Sequence, residues 1–595
     1  MAANPFRFPL SKNSDSQRHS PDDLLGSCLR ELLRLLVPTQ DHQDIRVDGY
    51  RLLNDRHTVH PLYPPEGMER FESSDPLDLY EPRLRFIRCL LESLMSIIDL
   101  EANGETVQVD GFRLKDLNQW LGPGGGATDI LAHAASRCNL NCRFCYNKGT
   151  APPLRPRRRE PLEEYEEIQT RINHYVPSAK LNIFPWMGSP AEALAHPHIL
   201  KILTALRQKT AEPFRISTNG STLSPEVIRS LVRHKPVSLD VSLNSSSPAR
   251  RQWLMNDPEP QKALDSLAHL READIPYSVV IVPWPFPSPE IMLEDLQKTV
   301  AFAAAFNPTL IQISLPGYSR AFSKEDSFSL HEIWRLLKSK ILGLRLSTDC
   351  PMVMRPGLFE EYTDPDRLND PVLIGVVKNS PLARAGLCQG DRILKINGLP
   401  VKNRPQARSL LTLLHQSDLK GASLSIQRNG TPLDLELNLF DFDYPYIPET
   451  ATHLGGVFPC SGLPLEWMEK LRQIVAARKA RKVLVLTSTL VRPFLEKFTS
   501  VQGRLPGTNL YIRVPRNHYF GGNIFMGDLI VVEDFIRAIE EFIDQEKILP
   551  DLAVIPSSAF SLSGWGRDLT GRVYLDIERR TKVPLALIEC DPIFD

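Results

Sequence analysis

Three of the chain's nine cysteines, Cys138, Cys142 and Cys145, fall within eight residues, while the other six are scattered at 28, 89, 350, 388, 460 and 590. Three thiolates in a C-x3-C-x2-C loop can converge on one polynuclear centre without long-range folding. Structural zinc sites usually join a C-x2-C unit to two further ligands, and this sequence has no second pair. Iron–sulfur ligation suits the spacing better. Three local cysteines would leave one iron of a cubane open to a ligand that is not cysteine. A zinc knob with His133 as its fourth ligand is the competing reading.

Something must position that loop. Residues 128–136, Thr-Asp-Ile-Leu-Ala-His-Ala-Ala-Ser, precede it directly, and their apolar run predicts a buried strand. Downstream, strand and helix signals alternate, the pattern of a parallel α/β sheet. Strands are predicted at 180–187, 213–218, 236–243, 276–283 and 308–315, with helices at 161–175, 192–208, 224–234, 261–272 and 289–305. With the strand before the cysteines, that makes six β/α units. In such a barrel ligands gather at the C-terminal ends of the strands.

The run Ser136-Arg137-Cys138-Asn139-Leu140-Asn141-Cys142-Arg143-Phe144-Cys145-Tyr146-Asn147 has an aromatic residue before its last cysteine. It resembles the signature of the radical S-adenosylmethionine (SAM) enzymes. The resemblance implies a partial (β/α)6 TIM-type barrel over about 128–345 and one 4Fe–4S cluster on Cys138, Cys142 and Cys145. The open iron would chelate the amino and carboxylate groups of SAM. An electron from a donor such as flavodoxin or ferredoxin would then cleave SAM to methionine and a 5′-deoxyadenosyl radical. That radical would take hydrogen from a substrate the sequence does not identify.

Further residues enter through the same resemblance. The family usually shows Gly-Gly-Glu-Pro after its second strand, often followed by His-Pro. Here Met187-Gly188-Ser189-Pro190-Ala191-Glu192 precedes His196-Pro197, so Pro190-Ala191 replace the glycines and Glu192 aligns with the acid. Its carboxylate would make a charge-assisted contact with the SAM ammonium; an acid at a helix start is the other use of this residue. The turn Ser217-Thr218-Asn219-Gly220 also recurs in the family and makes Asn219 a cofactor-binding candidate. Ser242 and Asn244 stand where the resemblance places ribose-binding groups, and loop capping is their alternative role. No catalytic side chain is assigned. The basic residues Arg155, Arg157, Arg158 and Arg159 lie among prolines and read as a solvated run, with an anionic partner as the alternative.

Residues 352–440 contain Val-Leu-Ile-Gly-Val-Val-Lys-Asn-Ser-Pro-Leu-Ala-Arg-Ala-Gly386 and the turns Gly390-Asp391 and Asn397-Gly398. This span resembles a bacterial-type PDZ module, which implies a peptide or protein partner taken up by strand addition. Its carboxylate loop would lie near Pro356-Gly357-Leu358-Phe359. From 450 to 595 a second α/β unit is predicted, with strands at 482–487, 509–514, 552–555 and 584–589 and a helix over 532–545. Its Asn517–Ile524 and Met526–Leu529 segments resemble the C-terminal domain of unknown function in a bacterial family that joins PDZ, radical SAM and this domain. The segments Ser242–Met255 and Pro316–Arg320 resemble the same family. In that family the PDZ unit is expected first, whereas here it lies in the middle.

Residues 21–125 carry an internal repeat in which Asp44–Leu52 is echoed by Thr106–Leu114, each copy preceded by a leucine-rich helical stretch, at 22–36 and 82–99. A duplicated helical unit with Asp-Gly turns follows. Cys28 and Cys89 then read as matching core positions, with metal ligation as the alternative. Residues 1–20 are expected to be disordered.

Composition bounds the remaining classes. The 595 residues are 42% hydrophobic and 24% charged, ordinary globular values. Seventy basic against 71 acidic side chains argue against a non-specific nucleic-acid binder. The N-terminus lacks a signal-peptide core and no apolar run approaches about 18 residues, so a cytoplasmic protein with no membrane partner is expected. The leading reading is an oxygen-sensitive radical SAM enzyme. The alternative is an iron–sulfur redox sensor or adaptor that holds partners through its PDZ-like and N-terminal modules.

Overall fold

The computed structural model describes residues 99–102, 105–108, 127–132, 134–150, 160–174, 191–322, 327–356, 370–417, 419–440, 452–459, 465–501, 505, 507–560, 568–570, 572 and 574–588. The expected strand at 180–187, the basic run at 155–159, His133, the N-terminal helices and Cys28 and Cys89 lie outside them. So do Gly357-Leu358-Phe359, Cys460 and Cys590. In the N-terminal region β1 (Asp99–Ala102) pairs antiparallel with β2 (Glu105–Gln108).

Five strands, β3 (Phe214–Thr218), β4 (Val237–Ser242), β5 (Tyr277–Ile281), β6 (Leu310–Ser314) and β7 (Met352–Arg355), form one sheet in chain order. Every pairing in it is parallel. Strand alternation divides the side chains into two sets. Ile216, Leu239, Val241, Val279, Ile281, Ile311, Ile313, Met352 and Met354 belong to the apolar core shared with the helices. The opposite set carries a polar chain across the sheet. Arg215 Nε donates to Asp240 Oδ2 at 2.7 Å, Gln312 Nε2 to Asp240 Oδ1 at 3.0 Å and Arg355 Nη1 to Gln312 Oε1 at 3.2 Å. Ser278 also donates to Asp240.

The connecting helices announce themselves locally. Ser224-Pro225, Ser247-Pro248 and Ser288-Pro289 each place a serine Oγ as acceptor for the first free N–H groups and a proline at the first helical position. The helices that follow, Pro225–Arg233, Pro248–Met255 and Pro289–Ala304, begin there.

Three expectations change. Residues 127–132 form a helix, where the sequence predicted a strand over 128–136. A short apolar run fits either element, and alanine and leucine favour the helix. The helix predicted over 192–208 is divided into a 3-10 turn at Ala193–Ala195 and a helix at Ile199–Lys209, broken at His196-Pro197 because the residue before proline resists the helical conformation. Met352–Arg355, expected to open the PDZ-like module, is the last strand of the barrel sheet.

After it come β8 (Gly375–Val376), β9 (Arg392–Ile396), β10 (Leu399–Pro400), β11 (Gly421–Arg428), β12 (Thr431–Asn438), β13 (Thr452–His453) and β14 (Gly456–Val457). They make two antiparallel sheets, β10-β9-β11-β12 and β13-β14-β8, with the helix Arg404–Gln416 among them. Leu310 and Val353 of the barrel belong to this module's core.

The C-terminal unit is a parallel sheet of β15 (Lys482–Leu486), β16 (Asn509–Arg513), β17 (Leu552–Pro556) and β18 (Leu585–Ile588) in the order β16-β15-β17-β18. Its strands lie within two residues of the sequence prediction, and the predicted helix is Val532–Glu546. No helix among the described residues is long and apolar enough to cross a membrane.

Candidate functional site

The cysteine loop is pinned from below. Leu140, Leu254, Met255 and Trp284 form a small buried cluster against which Cys142 and Phe144 pack. The N–H groups of Asn141 and Arg143 donate to Met255 O and Leu254 O at 3.1 and 2.7 Å, which ties the loop to the end of the helix Pro248–Met255. Lys148 Nζ closes it from the other side by donating to Asn141 O at 3.0 Å.

Two donors face the first sulfur. Asn219 Nδ2 stands 3.6 Å from Cys138 Sγ, and the Leu140 N–H also reaches it. Burial pushes the Cys138 thiol up. It pushes Cys142 up to about 12, aided by the neighbouring Cys145 and Cys138 and opposed by Arg251 and Lys148. Bare thiolates are therefore disfavoured at Cys138 and Cys142, and a cationic centre would restore them.

Asn219 links the loop to Glu192. The Glu192 carboxylate accepts from Thr218 Oγ1 at 2.7 Å and from the Asn219 N–H at 2.6 Å. Its side chain is 3% exposed, and burial raises its pKa to about 7 against those donors and the nearby Arg251. The structure thus brings three sequence candidates, Cys138, Asn219 and Glu192, into one hydrogen-bonded chain.

Arg251 lies at the base of that chain, and sequence reasoning missed it. Its guanidinium is fully buried, donating from Nε to Asp257 Oδ2 at 2.8 Å and from Nη1 to Ser242 O and Leu243 O at 2.9 and 2.7 Å. Nη2 donates to Asn219 O. One side chain therefore joins the C-terminal ends of β3 and β4. The resemblance had marked the Ser242–Met255 segment, but nothing in the pair Arg250-Arg251 says which arginine turns inward. Arg250 instead meets Asp295 at 3.1 Å.

The strand-four candidates separate. Asn244 is 2% exposed, has a φ of 61° and caps the strand ends, accepting from the Val282 N–H at 2.9 Å and donating to Met255 Sδ at 3.3 Å. Ser242 is half-buried at the end of β4. Its Oγ makes no hydrogen bond among the described residues.

Aromatic rings wall the loop. Phe144, Phe286, Phe322 and Phe328 surround the buried Trp284 with ring centroids 5.3–6.4 Å away. Beyond them the C-terminal unit closes in. Asn523 Oδ1 accepts from the Tyr318 N–H at 2.7 Å, the Asn523 N–H donates to Tyr318 O at 2.9 Å, and the Arg320 N–H donates to Phe520 O at 2.8 Å. Ser319, between them, donates to Gly149 O at 2.7 Å, four residues after Cys145. Two segments that the sequence had marked separately, 316–320 and 517–524, are thus one interface beside the cysteines.

Among the described residues no three His, Cys, Asp or Glu side chains converge on a single ion. A lone zinc requires its donors about 2.0–2.3 Å from one point. A cubane takes each thiolate on a separate iron. Three thiols along one loop, Cys138 exposed and Cys142 and Cys145 half-buried, with N–H donors aimed at the first, fit the cluster.

Residues 134–299 match the family model of the radical SAM superfamily, a span that contains all three cysteines, Glu192, Asn219, Asn244 and Arg251. This part of the chain is a radical SAM domain. Residues 373–417 match the PDZ domain model. The curated regulator of sigma-E protease RseP of Escherichia coli is 40% identical over 68 residues, 11% of this chain and 14% of that protein. Among solved structures, Streptococcus suis SuiB bound to precursor peptide SuiA is 16% identical with a TM-score of 0.29, covering 40% of this chain and 50% of its own. The structure of anSMEcpe with bound AdoMet is 11% identical with a TM-score of 0.22, over 30% and 48%. The chain spans about half the length of these structures and a far smaller share of the curated relative. In the radical SAM domain the cysteine loop, Glu192 and Arg251 all gather where β3 and β4 end.

Proposed function

We propose that the protein is a radical SAM enzyme with a single 4Fe–4S cluster on Cys138, Cys142 and Cys145, abstracting hydrogen from a substrate still to be identified. When bound, the cluster and SAM would supply one-electron cleavage to a 5′-deoxyadenosyl radical. The chain's own residues do the rest. Leu140 and Asn219 donate N–H groups to the first sulfur, and Arg251 holds the Asn219 turn and the β4 end in fixed register. Glu192 uses one lone pair on each oxygen for Thr218 and Asn219 and keeps others for the SAM ammonium, with Ser242 as the ribose contact. The aromatic wall around Trp284 and the docked 517–524 segment keep water away from the reacting face, which matters for any reactive intermediate. Asn244 acts through the backbone it caps. A cytoplasmic setting and a small acidic electron donor such as flavodoxin or ferredoxin accompany this reading.

The observation that carries it is the hydrogen-bonded chain from Cys138 through Asn219 to the buried Glu192, with the three thiols together on one loop beside it. The test is anaerobic iron and sulfide analysis combined with electron paramagnetic resonance. A reduced cluster whose signal changes when SAM is added supports the enzyme. A cluster indifferent to SAM points to a redox sensor.

A further inference from the structure

PDZ domains take up an extended peptide by adding it as a strand to a sheet edge. In this chain that edge is taken. β14 pairs on one side with β8, Gly456 opposite Val376 and Val457 opposite Gly375. On its other side it pairs with β13, Thr452 opposite Val457 and His453 opposite Gly456. His453 is 2% exposed, and its Nδ1 lies 3.0 Å from Thr412 Oγ1 on the helix Arg404–Gln416. The hairpin of β13 and β14 therefore occupies the slot between the β8 edge and the helix that an incoming strand would need.

We propose that the groove of the PDZ module is filled in cis by the hairpin Thr452–Val457, so that the module clasps its own chain in place of a free peptide. The hairpin is built to stay. Its turn residues Leu454 and Gly455 have φ values of 52° and 92°, the tight turn that matches strand twist. Gly455 is required twice over, because a Cβ there would overlap the Ser380 side chain. Leu454, 4% exposed, buries its side chain in the module's core, which holds a branched residue in a backbone region it rarely adopts. Three further bonds anchor the turn: Leu382 N–H to Leu454 O at 3.3 Å, Val377 N–H to Gly455 O at 2.7 Å and Ile374 N–H to Val457 O at 2.9 Å. Arg408, from the same helix as Thr412, donates to Pro459 O.

The hairpin lies beyond the span 373–417 that matches the PDZ model, on the segment leading to the C-terminal unit. Because Leu310 and Val353 of the barrel sheet share the module's core, the clasp ties that segment back to the barrel. The module's place in the middle of the chain then has a use: it fixes where the C-terminal unit begins relative to the catalytic face.

The test needs neither cluster nor SAM, so it stands or falls separately from the enzymatic reading. Full-length protein is titrated into a fluorescein-labelled pool of hexapeptides with free C-terminal carboxylates, and hydrogen exchange is followed at 374–377 and 452–458. The wild type should show no saturable anisotropy change and slow exchange at both segments. Gly455→Val should raise exchange at both by about tenfold or more as the hairpin opens. Should that variant misfold, Thr412→Ala serves instead: losing the Oγ1 contact to His453 should raise exchange at 452–458 in a folded chain. Saturable peptide binding by wild type with the 452–458 amides still protected would overturn the proposal. So would fast exchange at 452–458 in folded wild type.

Discussion

The side-chain amide of Asn219 stands 3.6 Å from the sulfur of Cys138, while the backbone N–H of the same residue holds the Glu192 carboxylate at 2.6 Å. One residue thus couples the cysteine loop to the buried acid that precedes the turn at Ala193–Ala195. A hydrogen bond to a cluster sulfur stabilises the reduced, more negative state. Asn219→Ala should therefore leave the cluster assembled but lower its reduction potential. A redox titration followed by electron paramagnetic resonance measures this, and an unchanged potential would show that Asn219 serves only the turn.

Arg251 and Asp257 are both fully buried. Removing one partner leaves an uncompensated charge, which typically costs about 3–5 kcal/mol. Arg251→Met should therefore lower the melting temperature sharply and release the Asn219 turn, whereas an exposed control such as Lys298→Met should not. Arg251→Lys should rescue little, because lysine cannot span Asp257 and the carbonyls of 219, 242 and 243 at once.

Glu192 gives a pH dependence with a definite sign. Its pKa is raised to about 7 by burial, from an ordinary 4.5, so the folded chain holds a proton that the unfolded chain has lost between those values. Its contribution to stability is full below about pH 4.5 and is lost as pH rises through about 7. Melting curves of wild type should fall over that window relative to Glu192→Gln. The same variant should bind SAM at least about tenfold more weakly, since a charge-assisted contact is worth roughly 1.5–3 kcal/mol. Unchanged affinity in calorimetry would confine Glu192 to bracing Thr218 and Asn219.

Much of this was legible in the sequence because it is local. Ser-Pro helix starts, strand alternation and the cysteine spacing are written in neighbouring residues. The run at 128–136 was misread because an apolar stretch of that length suits a buried strand and a buried helix equally, and periodicity cannot decide. Met352–Arg355 was assigned to the following module because nothing within four residues says which sheet they will join. Arg251 stayed hidden for a similar reason: its partners lie on two strands and a turn, brought together only by the fold. The same holds for Tyr318 and Asn523, which are 205 positions apart.

That last contact makes its own prediction. Gly522 has a φ of 65°, and a Cβ there would overlap Tyr318 O. Gly522→Ala should therefore loosen the barrel from the C-terminal unit, with a cost on the order of 1–3 kcal/mol. Hydrogen exchange should rise at 318–322 and, through the Ser319 contact to Gly149, at 146–150. Exchange confined to 517–526 would mean that the C-terminal unit does not brace the cysteine loop.

The most direct measurement is the nucleoside product. Anaerobically reconstituted wild type, reduced with dithionite in the presence of SAM, should yield 5′-deoxyadenosine by mass spectrometry and carry about four irons per chain. The Cys138→Ala, Cys142→Ala, Cys145→Ala triple variant should yield none and lose the iron. A colourless wild type holding one zinc, or 5′-deoxyadenosine made equally by the triple variant, would contradict the account.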